Sequence, residues 1–370
     1  MKTALSFDDV LLVPRKSKIK SRRDVSLSSY LKGYFYSLSL PIISSPMDTV
    51  TGKRMIKSMK AHGGLGIAHR YCSIEEQVEM ATPETKKEKK NEPKVFKDYH
   101  FHSPRPGYTF LDDDTPLIKE ITTGAAIGVT GDYLERAQEL VKAGCNVLCV
   151  DVAHGHHISV KEALKALKKE FGDDVVLIAG NVATKKAFED LDRWGADAIR
   201  VGIGGGSICS TRLQTGHGVP TLQSIIDCTN ADAKAKIIAD GGIRNAGDIV
   251  KAYAAGADFV MLGSMLAGTD QSPGQVFSSQ DGKKYKVYRG MASVEAQVDW
   301  RGQARSLEGI STTIPYKGSV VKILQDLEQN IRSGLSYSGA ESIWDLYCKA
   351  KFIRQTQAGM KESFTHILTK

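Results

Sequence analysis

Residues 146–204 read NVLCVDVAHGHHISVKEALKALKKEFGDDVVLIAGNVATKKAFEDLDRWGADAIRVGIG. Three apolar runs, NVLCVDVA (146–153), VVLIAGNVA (175–183) and AIRVGIG (198–204), are separated by two amphipathic segments. Apolar residues recur at i, i+3 and i+4 in each segment, which indicates helices, and the nearly uninterrupted apolar runs are typical of strands buried on both faces. The stretch therefore predicts two consecutive strand–helix units of a parallel sheet.

The same alternation occurs along most of the chain. Five further apolar runs have the same character: PIISSP (41–46), GLGIA (64–68), GAAIGV (124–129), KIIADGG (236–242) and FVMLGS (259–264). Eight strand–helix units in about 250 residues are the pattern of a (β/α)₈ TIM barrel, in class α/β. An open doubly wound sheet is the alternative, but such folds usually carry a GxGxxG turn after the first strand, and none follows PIISSP.

The composition is that of a folded globular protein, because 41% of the 370 residues are hydrophobic and 25% are charged. We predict one barrel domain over residues 1–370, with no separate regulatory domain. Residues 80–120 show no clear periodicity and are too polar to form their own core, so they are predicted to be an irregular insertion after the second strand. Such an insertion can act as a lid, an oligomer contact or a mobile loop. Residues 283–318 are also expected to be irregular.

Charge and targeting signals narrow the possible partners. Much of the formal net charge of +8 lies in KKEKKNEPKVFK (86–97), which is typical of a solvated loop and does not by itself indicate nucleic acid. The sequence has no apolar run of 18 residues and no signal peptide, so we expect a cytoplasmic protein without a membrane partner. The six cysteines lack paired CxxC spacing, which argues against disulfides and structural zinc.

Polar residues at the ends of the predicted strands suggest a site for a nucleoside monophosphate. Barrels place their active site at the carboxyl ends of the strands and commonly bind phosphate after strands seven and eight. Asp240-Gly241-Gly242 and Gly263-Ser264 end these two strands, and Ser207 follows a run of three glycines after strand six. Asp240 could accept hydrogen bonds from two ribose hydroxyls. For any single glycine, a tight turn without a ligand is an equally good interpretation.

Cys209 follows the same glycine-rich loop, GIGGGSICSTR (202–212). A cysteine beside a phosphate site can act as a nucleophile when its proton can be removed, and exposed loops favour function over packing. Four other cysteines lie in strand or helix patterns and are predicted to be buried as small apolar residues: Cys145, Cys149, Cys228 and Cys348. The histidines of VAHGHH (152–157) could bind a metal, but surface or substrate contacts are the more common role.

Several motifs, taken in order, identify a family. They are SSPMDTV (44–50), GGLGIAHR (63–70), GIGGGSICSTR (202–212), ADGGIR (239–244), FVMLGSMLAG (259–268), YRGMAS (288–293) and EGISTTIPYKGSV (308–320). Together they resemble the inosine-5′-monophosphate dehydrogenase and guanosine-5′-monophosphate reductase family over nearly the whole chain except 80–120. The resemblance implies a barrel enzyme in which a loop cysteine attacks C2 of the purine and a nicotinamide cofactor takes part in hydride transfer.

The resemblance also implies roles for individual residues. Cys209 is the implied nucleophile, with Thr211 and Glu308 as its catalytic partners. The implied substrate-binding residues are Ser45, Met47, Ser207, Asp240, Gly242, Gly263, Ser264, Tyr288, Gly290 and Met291. The implied cofactor-binding residues are Asp151, Ala153, His154, Asn181 and Arg305. The carbonyl groups of Gly204, Gly206 and Cys209 match positions that bind a monovalent cation such as K⁺, and family members typically form homotetramers.

The family contains two activities, and the sequence favours the reductase. Dehydrogenases carry an Arg-Tyr pair in a mobile flap, and no such dipeptide occurs in ASVEAQVDWRGQARSL (292–307). Reductases expel ammonia with a threonine two residues after the cysteine and a flap glutamate, which Thr211 and Glu308 match. We therefore expect NADPH-dependent reduction of GMP to IMP and ammonia. GAAIGV, VDVAHGHH and AGMKESFTHI look more like dehydrogenases, so IMP oxidation with NAD remains the alternative. A catalytically silent nucleotide binder is a third, less attractive reading.

Overall fold

The computed structural model describes residues 3–31, 36–83, 121, 123–305 and 307–365. Eight parallel strands form a closed barrel, each pairing with its neighbours in chain order and the last pairing with the first. The strands are β1 Ile42–Ser44, β2 Leu65–Ala68, β3 Gly124–Ile127, β4 Val147–Asp151, β5 Val176–Val182, β6 Ala198–Val201, β7 Lys236–Asp240 and β8 Phe259–Leu262. The prediction of a (β/α)₈ barrel is confirmed, and the open doubly wound sheet is excluded because β8 pairs with β1.

Helices follow the strands as the amphipathic patterns predict. Their bounds are α1 Lys53–Ala61, α2 Ile74–Ala81, α3 Tyr133–Lys142, α4 Ile158–Phe171, α5 Lys185–Arg193, α6 Thr211–Thr215, α7 Thr221–Thr229, α8 Ala246–Ala254, α9 Val294–Arg301, α10 Val320–Tyr337, α11 Ile343–Lys349 and α12 Gln357–Glu362. Short 3₁₀ helices span Phe7–Asp9 and Arg22–Asp24. Side-chain caps define several starts. At α2, for example, Ser73 accepts from the Glu76 backbone N–H while the Glu76 carboxylate accepts from the Ser73 backbone N–H.

Two hydrophobic clusters hold the barrel together. One lies between the strands and the surrounding helices, and the other fills the barrel interior with strand residues of the opposite parity, among them Ile43, Ile178 and Phe259. Gly66 on β2 allows the strand to approach α1 closely, because a Cβ atom there would lie 2.7 Å from Ile56 Cα. The strand–helix packing at this point therefore requires glycine.

An antiparallel pair of strands, Ser29–Leu31 and Tyr36–Leu38, covers the amino-terminal end of the barrel. Leu31, Tyr36 and Leu38 belong to the same cluster as the interior strand residues. The Tyr36 hydroxyl donates to the carbonyl of Asp174, which lies just before β5. This end of the barrel is thus closed by apolar side chains.

Strands outside the barrel form two further sheets. Val10–Leu12 pairs with Phe352–Arg354, which joins the two ends of the described chain. Phe277–Ser278, Lys284–Arg289 and Ser311–Pro315 form a three-stranded antiparallel sheet, here called the flap sheet. The prediction that residues 283–318 are irregular is therefore wrong in part. Ser311–Pro315 is largely exposed, and on Lys284–Arg289 the buried positions carry Lys286 and Tyr288 while Val287 is exposed. The apolar residues therefore do not mark the buried face, which explains why hydrophobic periodicity does not reveal these strands.

Most of the predicted 80–120 insertion lies outside the described residues, and its role stays a prediction. Its first two residues, Met80 and Ala81, belong to the end of α2. Within the described ranges, none of the helices combines the length and the apolar character needed to cross a lipid bilayer.

Candidate active site

A cavity of about 510 Å³ opens at the carboxyl ends of the barrel strands. It brings together almost all of the residues predicted from the sequence. Those that line it are Ser45, Met47, Asp151, Ala153, Asn181, Gly204, Gly206, Ser207, Cys209, Thr211, Asp240, Gly242, Gly263, Ser264, Tyr288, Gly290, Met291 and Glu308. These residues are spread over the ends of several strands and the flap between Ser45 and Glu308, so the site depends on closure of the barrel.

Two predicted cofactor residues are not among those that line this cavity. His154 is exposed after β4, and its ring lies 6.4 Å from the ring of His156. Arg305 is exposed on the segment after α9, where its backbone N–H donates to Gln297 Oε1 at 2.9 Å. Their assignment to the cofactor stays a prediction.

Cys209, Thr211 and Glu308 form a continuous hydrogen-bonded chain. The half-buried Cys209 Sγ donates to Thr211 Oγ1 at 3.2 Å, and Thr211 Oγ1 donates to Glu308 Oε2 at 2.8 Å. The hydroxyl can thus pass a proton between a carboxylate and the space beside the sulfur. This arrangement supports acid–base chemistry next to a nucleophile.

Backbone pairing between two distant segments assembles that chain. The loop after β6 lies antiparallel to residues 307–310, with Cys209 opposite Gly309. The Ser210 N–H donates to the Glu308 carbonyl at 2.9 Å, and the Ile310 N–H donates to the Ile208 carbonyl at 3.1 Å. The register of this short ladder places Glu308 beside Thr211.

Hydroxyl groups and bare backbone meet at the predicted phosphate position. Ser207 Oγ lies 3.4 Å from the Tyr288 hydroxyl, and burial raises the pKa of Tyr288, so its hydroxyl stays a neutral donor. A Cβ atom on Gly263 would lie 3.1 Å from that hydroxyl and 3.4 Å from Met47 Sδ. Glycine at 263 therefore leaves the space between these side chains open for a ligand.

The glycine loops after β6 and β7 lie against each other. Gly241 and Gly242 have positive φ angles of 88° and 78°, a backbone conformation that side chains disfavour. A Cβ atom on Gly241 would lie 3.0 Å from the backbone nitrogen of Gly206. The close contact explains why both loops are rich in glycine, and it leaves their backbone N–H groups near the cavity.

Arg200 is a site residue that the sequence analysis missed. It lines the cavity but is only 7% exposed, and its guanidinium donates to Asp240 Oδ2 and to Asp151 Oδ1. Burial alone would lower the pKa of Arg200, but the two carboxylates raise it well above the usual value. A lone arginine inside the apolar strand AIRV (198–201) is a usable signal, because a buried charge needs a partner.

Asn181 connects the end of β5 to the same carboxylate. Its Nδ2 group donates to Asp240 Oδ2 and to the Gly202 carbonyl, both at 2.8 Å. The side chain predicted to contact the cofactor therefore also fixes the ends of β6 and β7.

Arg70, Tyr71 and Arg301 form one wall of the cavity, and Trp300 packs against this wall. Tyr71 and Trp300 stack with ring centroids 4.2 Å apart, and the Arg70 guanidinium lies 5.4 Å from the Tyr71 centroid. Arg301 lies 5.5 Å from the centroid of Trp300. The stack joins the loop after β2 to α9. The sequence analysis gave neither Arg70 nor its aromatic neighbours a role.

Arg289 ties the flap sheet to the barrel. Its guanidinium donates to Asp48 Oδ2 from Nε at 2.9 Å and from Nη2 at 2.6 Å, and it also pairs with Asp299 on α9. The Asp48 N–H contacts Met291 Sδ at 3.3 Å. These contacts hold Met291 over the cavity, where the resemblance expects the purine base.

The carbonyls predicted to bind a monovalent cation lie in the Cys209 loop. The Gly206 carbonyl accepts a hydrogen bond from the Cys209 N–H at 3.1 Å and keeps a second lone pair. Arg212 donates to the neighbouring carbonyls of Ile203 and Val219 at 3.3 and 2.7 Å. Binding of a monovalent cation by the carbonyls of Gly204, Gly206 and Cys209 stays a prediction.

The burial predicted for four of the other cysteines is confirmed for three of them. Cys145, Cys149 and Cys228 are buried as expected, but Cys348 is exposed, so its prediction was wrong. Ile343 and Leu346 form the buried face of the short helix α11, and Cys348 falls on the other side. Within the described part of the chain, no cluster of three His, Cys, Asp or Glu side chains could hold a metal ion.

Comparison with known proteins identifies the family of the chain. The family model for the IMP dehydrogenase / GMP reductase domain matches residues 4–366. The inosine-5′-monophosphate dehydrogenase of Borreliella burgdorferi is 39% identical over 399 aligned positions, covering 99% of this chain and 97% of the relative. The GMP reductase of Leishmania major is 35% identical over 480 positions, with coverage of 99% and 97%.

A solved structure gives the same result at the level of the fold. The crystal structure of a GMP reductase variant from Trypanosoma brucei, in complex with guanosine 5′-monophosphate, matches with a TM-score of 0.83 and 34% identity. The match covers 99% of this chain and 98% of the other. The closed barrel, the cavity at its carboxyl end and these similarities show that the chain belongs to the IMP dehydrogenase / GMP reductase family.

Proposed function

We propose that this protein is a GMP reductase that converts GMP to IMP and ammonia with NADPH. The observation that carries the proposal is the hydrogen-bonded chain from Cys209 through Thr211 to Glu308. Loss of ammonia from C2 requires a proton on the departing amine, and a hydroxyl backed by a carboxylate can supply it. The solved T. brucei reductase, which binds GMP, supports a purine nucleotide as the ligand.

The proposed reaction has two stages. The Cys209 sulfur bonds to C2 of GMP, and its proton moves toward the purine. Thr211 and Glu308 then relay a proton to the 2-amino group, the C–N bond breaks and ammonia leaves, with the purine still attached to sulfur. When bound, NADPH would supply the hydride that C2 needs and would be oxidised to NADP⁺. The C–S bond then breaks, and Cys209 is regenerated as IMP leaves.

The cavity offers a place for each part of the nucleotide. Ser207, Gly242, Gly263, Ser264 and Tyr288 are proposed to hold the phosphate through hydroxyl groups and bare backbone N–H groups. We assign the ribose hydroxyls to Asp240, whose carboxylate is acceptor-only when ionised. Ser45, Met47, Gly290 and Met291 would contact the rest of the nucleotide.

The cofactor is proposed to lie on the β4–β5 side of the cavity. Asp151, Ala153 and Asn181 line that side. The wall formed by Arg70, Tyr71 and Arg301 adjoins it, since Arg70 donates to the Asp151 carbonyl at 3.3 Å, and Trp300 stacks on Tyr71. Stacked aromatic rings suit a nicotinamide or adenine ring, and guanidinium groups suit phosphates. His154 and Arg305 would contact the cofactor only at the outer edge of this site.

Three further properties accompany the proposed activity: a cytoplasmic location, a homotetramer and stimulation by K⁺. Exposed apolar side chains on and beside the flap sheet, Val276, Phe277 and Val287, suit contacts between subunits. Light scattering on the purified protein tests the tetramer, and assays with K⁺ or with a large organic cation test the stimulation.

IMP dehydrogenase is the second candidate, because the B. burgdorferi relative carries that name at 39% identity. Chain length does not separate the two activities: the dehydrogenase aligns over 399 positions, whereas the L. major reductase aligns over 480. The lack of an Arg-Tyr dipeptide in residues 292–307 supports the reductase.

Absorbance of the reduced nicotinamide tests the proposal directly. The purified protein receives GMP with NADPH in one cuvette and IMP with NAD and K⁺ in another. Falling absorbance in the first, with ammonia released, supports the reductase. If absorbance rises in the second cuvette and does not change in the first, the result contradicts the proposal and establishes the dehydrogenase. Replacing NADPH by NADH in the first cuvette tests the cofactor preference.

A further inference from the structure

Three donors converge on a single oxygen of Asp240. Arg200 contributes Nε at 3.0 Å and Nη2 at 2.9 Å, and Asn181 Nδ2 contributes the third at 2.8 Å, all to Oδ2. No hydrogen bond within the described ranges reaches Oδ1 of this carboxylate. The arrangement fixes the plane of the carboxylate and leaves one oxygen available to a ligand.

The other end of the guanidinium is fixed as well. Arg200 Nη1 donates to Asp151 Oδ1 at the end of β4, so one buried cation joins the ends of β4, β6 and β7. Gly180 on β5 makes room for it, because a Cβ atom at 180 would lie 2.6 Å from Arg200 Cβ. The local sequence is thus arranged around this side chain.

We infer that Arg200 is a positioning residue that aims Asp240 at the nucleotide ribose and thereby sets the selectivity for ribonucleotides over 2′-deoxyribonucleotides. The inference rests on the proposed nucleotide site and adds to it a residue that does not itself touch the ribose. Lysine cannot replace this arginine fully, since an ammonium group lacks the planar fork that bonds both carboxylates at once.

The test compares kcat/KM for GMP and for 2′-deoxy-GMP in wild type, Arg200→Lys and Asp240→Asn. The wild-type ratio is expected to be on the order of tenfold to a hundredfold, the usual effect of one hydrogen bond to a charged group. Both variants should bring the ratio toward unity. A general structural defect would lower both rates alike and leave the ratio unchanged.

Lys236→Arg is the matched control. Lys236 pairs with Asp258 at the opposite end of β7, and the two side chains are 8% and 15% exposed, as are those of Arg200 and Asp240. This variant should keep the wild-type ratio. Thermal melts verify folding. If Arg200→Lys is unfolded, Asp151→Asn decides in its place, because it releases the far end of the guanidinium.

The outcomes separate this inference from the proposed function. The inference is overturned if the ratio is unchanged in folded Arg200→Lys but falls to unity in Asp240→Asn. That result would still support the contact between Asp240 and the ribose. Unchanged ratios in both variants reject the ribose contact as well. If the enzyme oxidises IMP instead, the same ratio measured with IMP and 2′-deoxy-IMP tests Arg200 under the other activity.

Discussion

Thr211 and Glu308 are separated by 97 positions, yet Thr211 Oγ1 donates to Glu308 Oε2 across 2.8 Å. One residue begins α6 and the other precedes the last strand of the flap sheet. Their contact depends on the short backbone ladder between residues 208–210 and 308–310. The proposed proton relay therefore exists only when the flap sheet is docked on the Cys209 loop.

Replacement of Thr211 by valine removes the hydroxyl and keeps the shape of the side chain. We expect GMP reduction to slow by about 10²- to 10⁴-fold, the usual effect of lost general acid–base catalysis, with most activity restored by Thr211→Ser. Thr215→Val is the control, because Thr215 is exposed on the same helix and its hydroxyl bonds only local backbone, donating to the Thr211 carbonyl and accepting from the His217 N–H. Equal losses in both valine variants would argue against the relay.

Replacement of Cys209 by alanine should abolish the covalent step. Turnover is expected to fall by a factor on the order of 10⁴ or more, as when an enzyme loses its nucleophile, while GMP binding measured by calorimetry persists. Cys348→Ala, at the exposed cysteine of α11, should turn over GMP like the wild type. Wild-type turnover in Cys209→Ala would exclude covalent catalysis.

Thiol alkylation should depend on pH in a way set by burial. Burial raises the pKa of Cys145 to about 11 and those of Cys149 and Cys228 to about 12, so these thiols stay protonated at pH 8. Mass spectrometry after iodoacetamide treatment at pH 8 should find Cys348 and Cys209 modified and these three intact. GMP should protect Cys209 alone. Modification of Cys149 under these conditions would contradict the packing described here.

Two glycine-to-alanine changes should affect stability with opposite signs. Gly66→Ala places a Cβ atom 2.7 Å from the backbone of α1 and should lower the free energy of unfolding by about 1–3 kcal/mol through overpacking. Gly359→Ala on α12 meets only an ordinary contact at 3.4 Å and should be neutral or stabilising by up to about 1 kcal/mol. Urea denaturation measures both, and a stable Gly66→Ala variant would show that α1 can move away from β2.

The sequence predicts the barrel well because a strand buried on both faces leaves a clear apolar run. It predicts much less about the flap sheet, because the buried positions of Lys284–Arg289 carry Lys286 and Tyr288 while Val287 is exposed, so burial there does not follow hydrophobicity. Thr211 can be found from Cys209, since both lie on one loop. Glu308 depends on a contact across 97 positions that no local pattern encodes, and only the family resemblance finds it.

The role of Arg200 also cannot be predicted from the residues near it in sequence. Three of the four residues of β6 are apolar, so the sequence predicts a core strand. Its arginine nevertheless lines the cavity. Its two partners lie 49 and 40 positions away, on β4 and β7. Only barrel closure brings these carboxylates to the guanidinium, so its role follows from the fold and not from its neighbours in sequence.

The strands Ser29–Leu31 and Tyr36–Leu38 limit how a ligand can reach the cavity. These strands close the amino-terminal end of a barrel whose interior is already packed. A ligand therefore reaches the cavity through the opening at the carboxyl ends of the strands. In the proposed reaction, the nucleotide, the cofactor and the released ammonia would therefore all pass through that single opening.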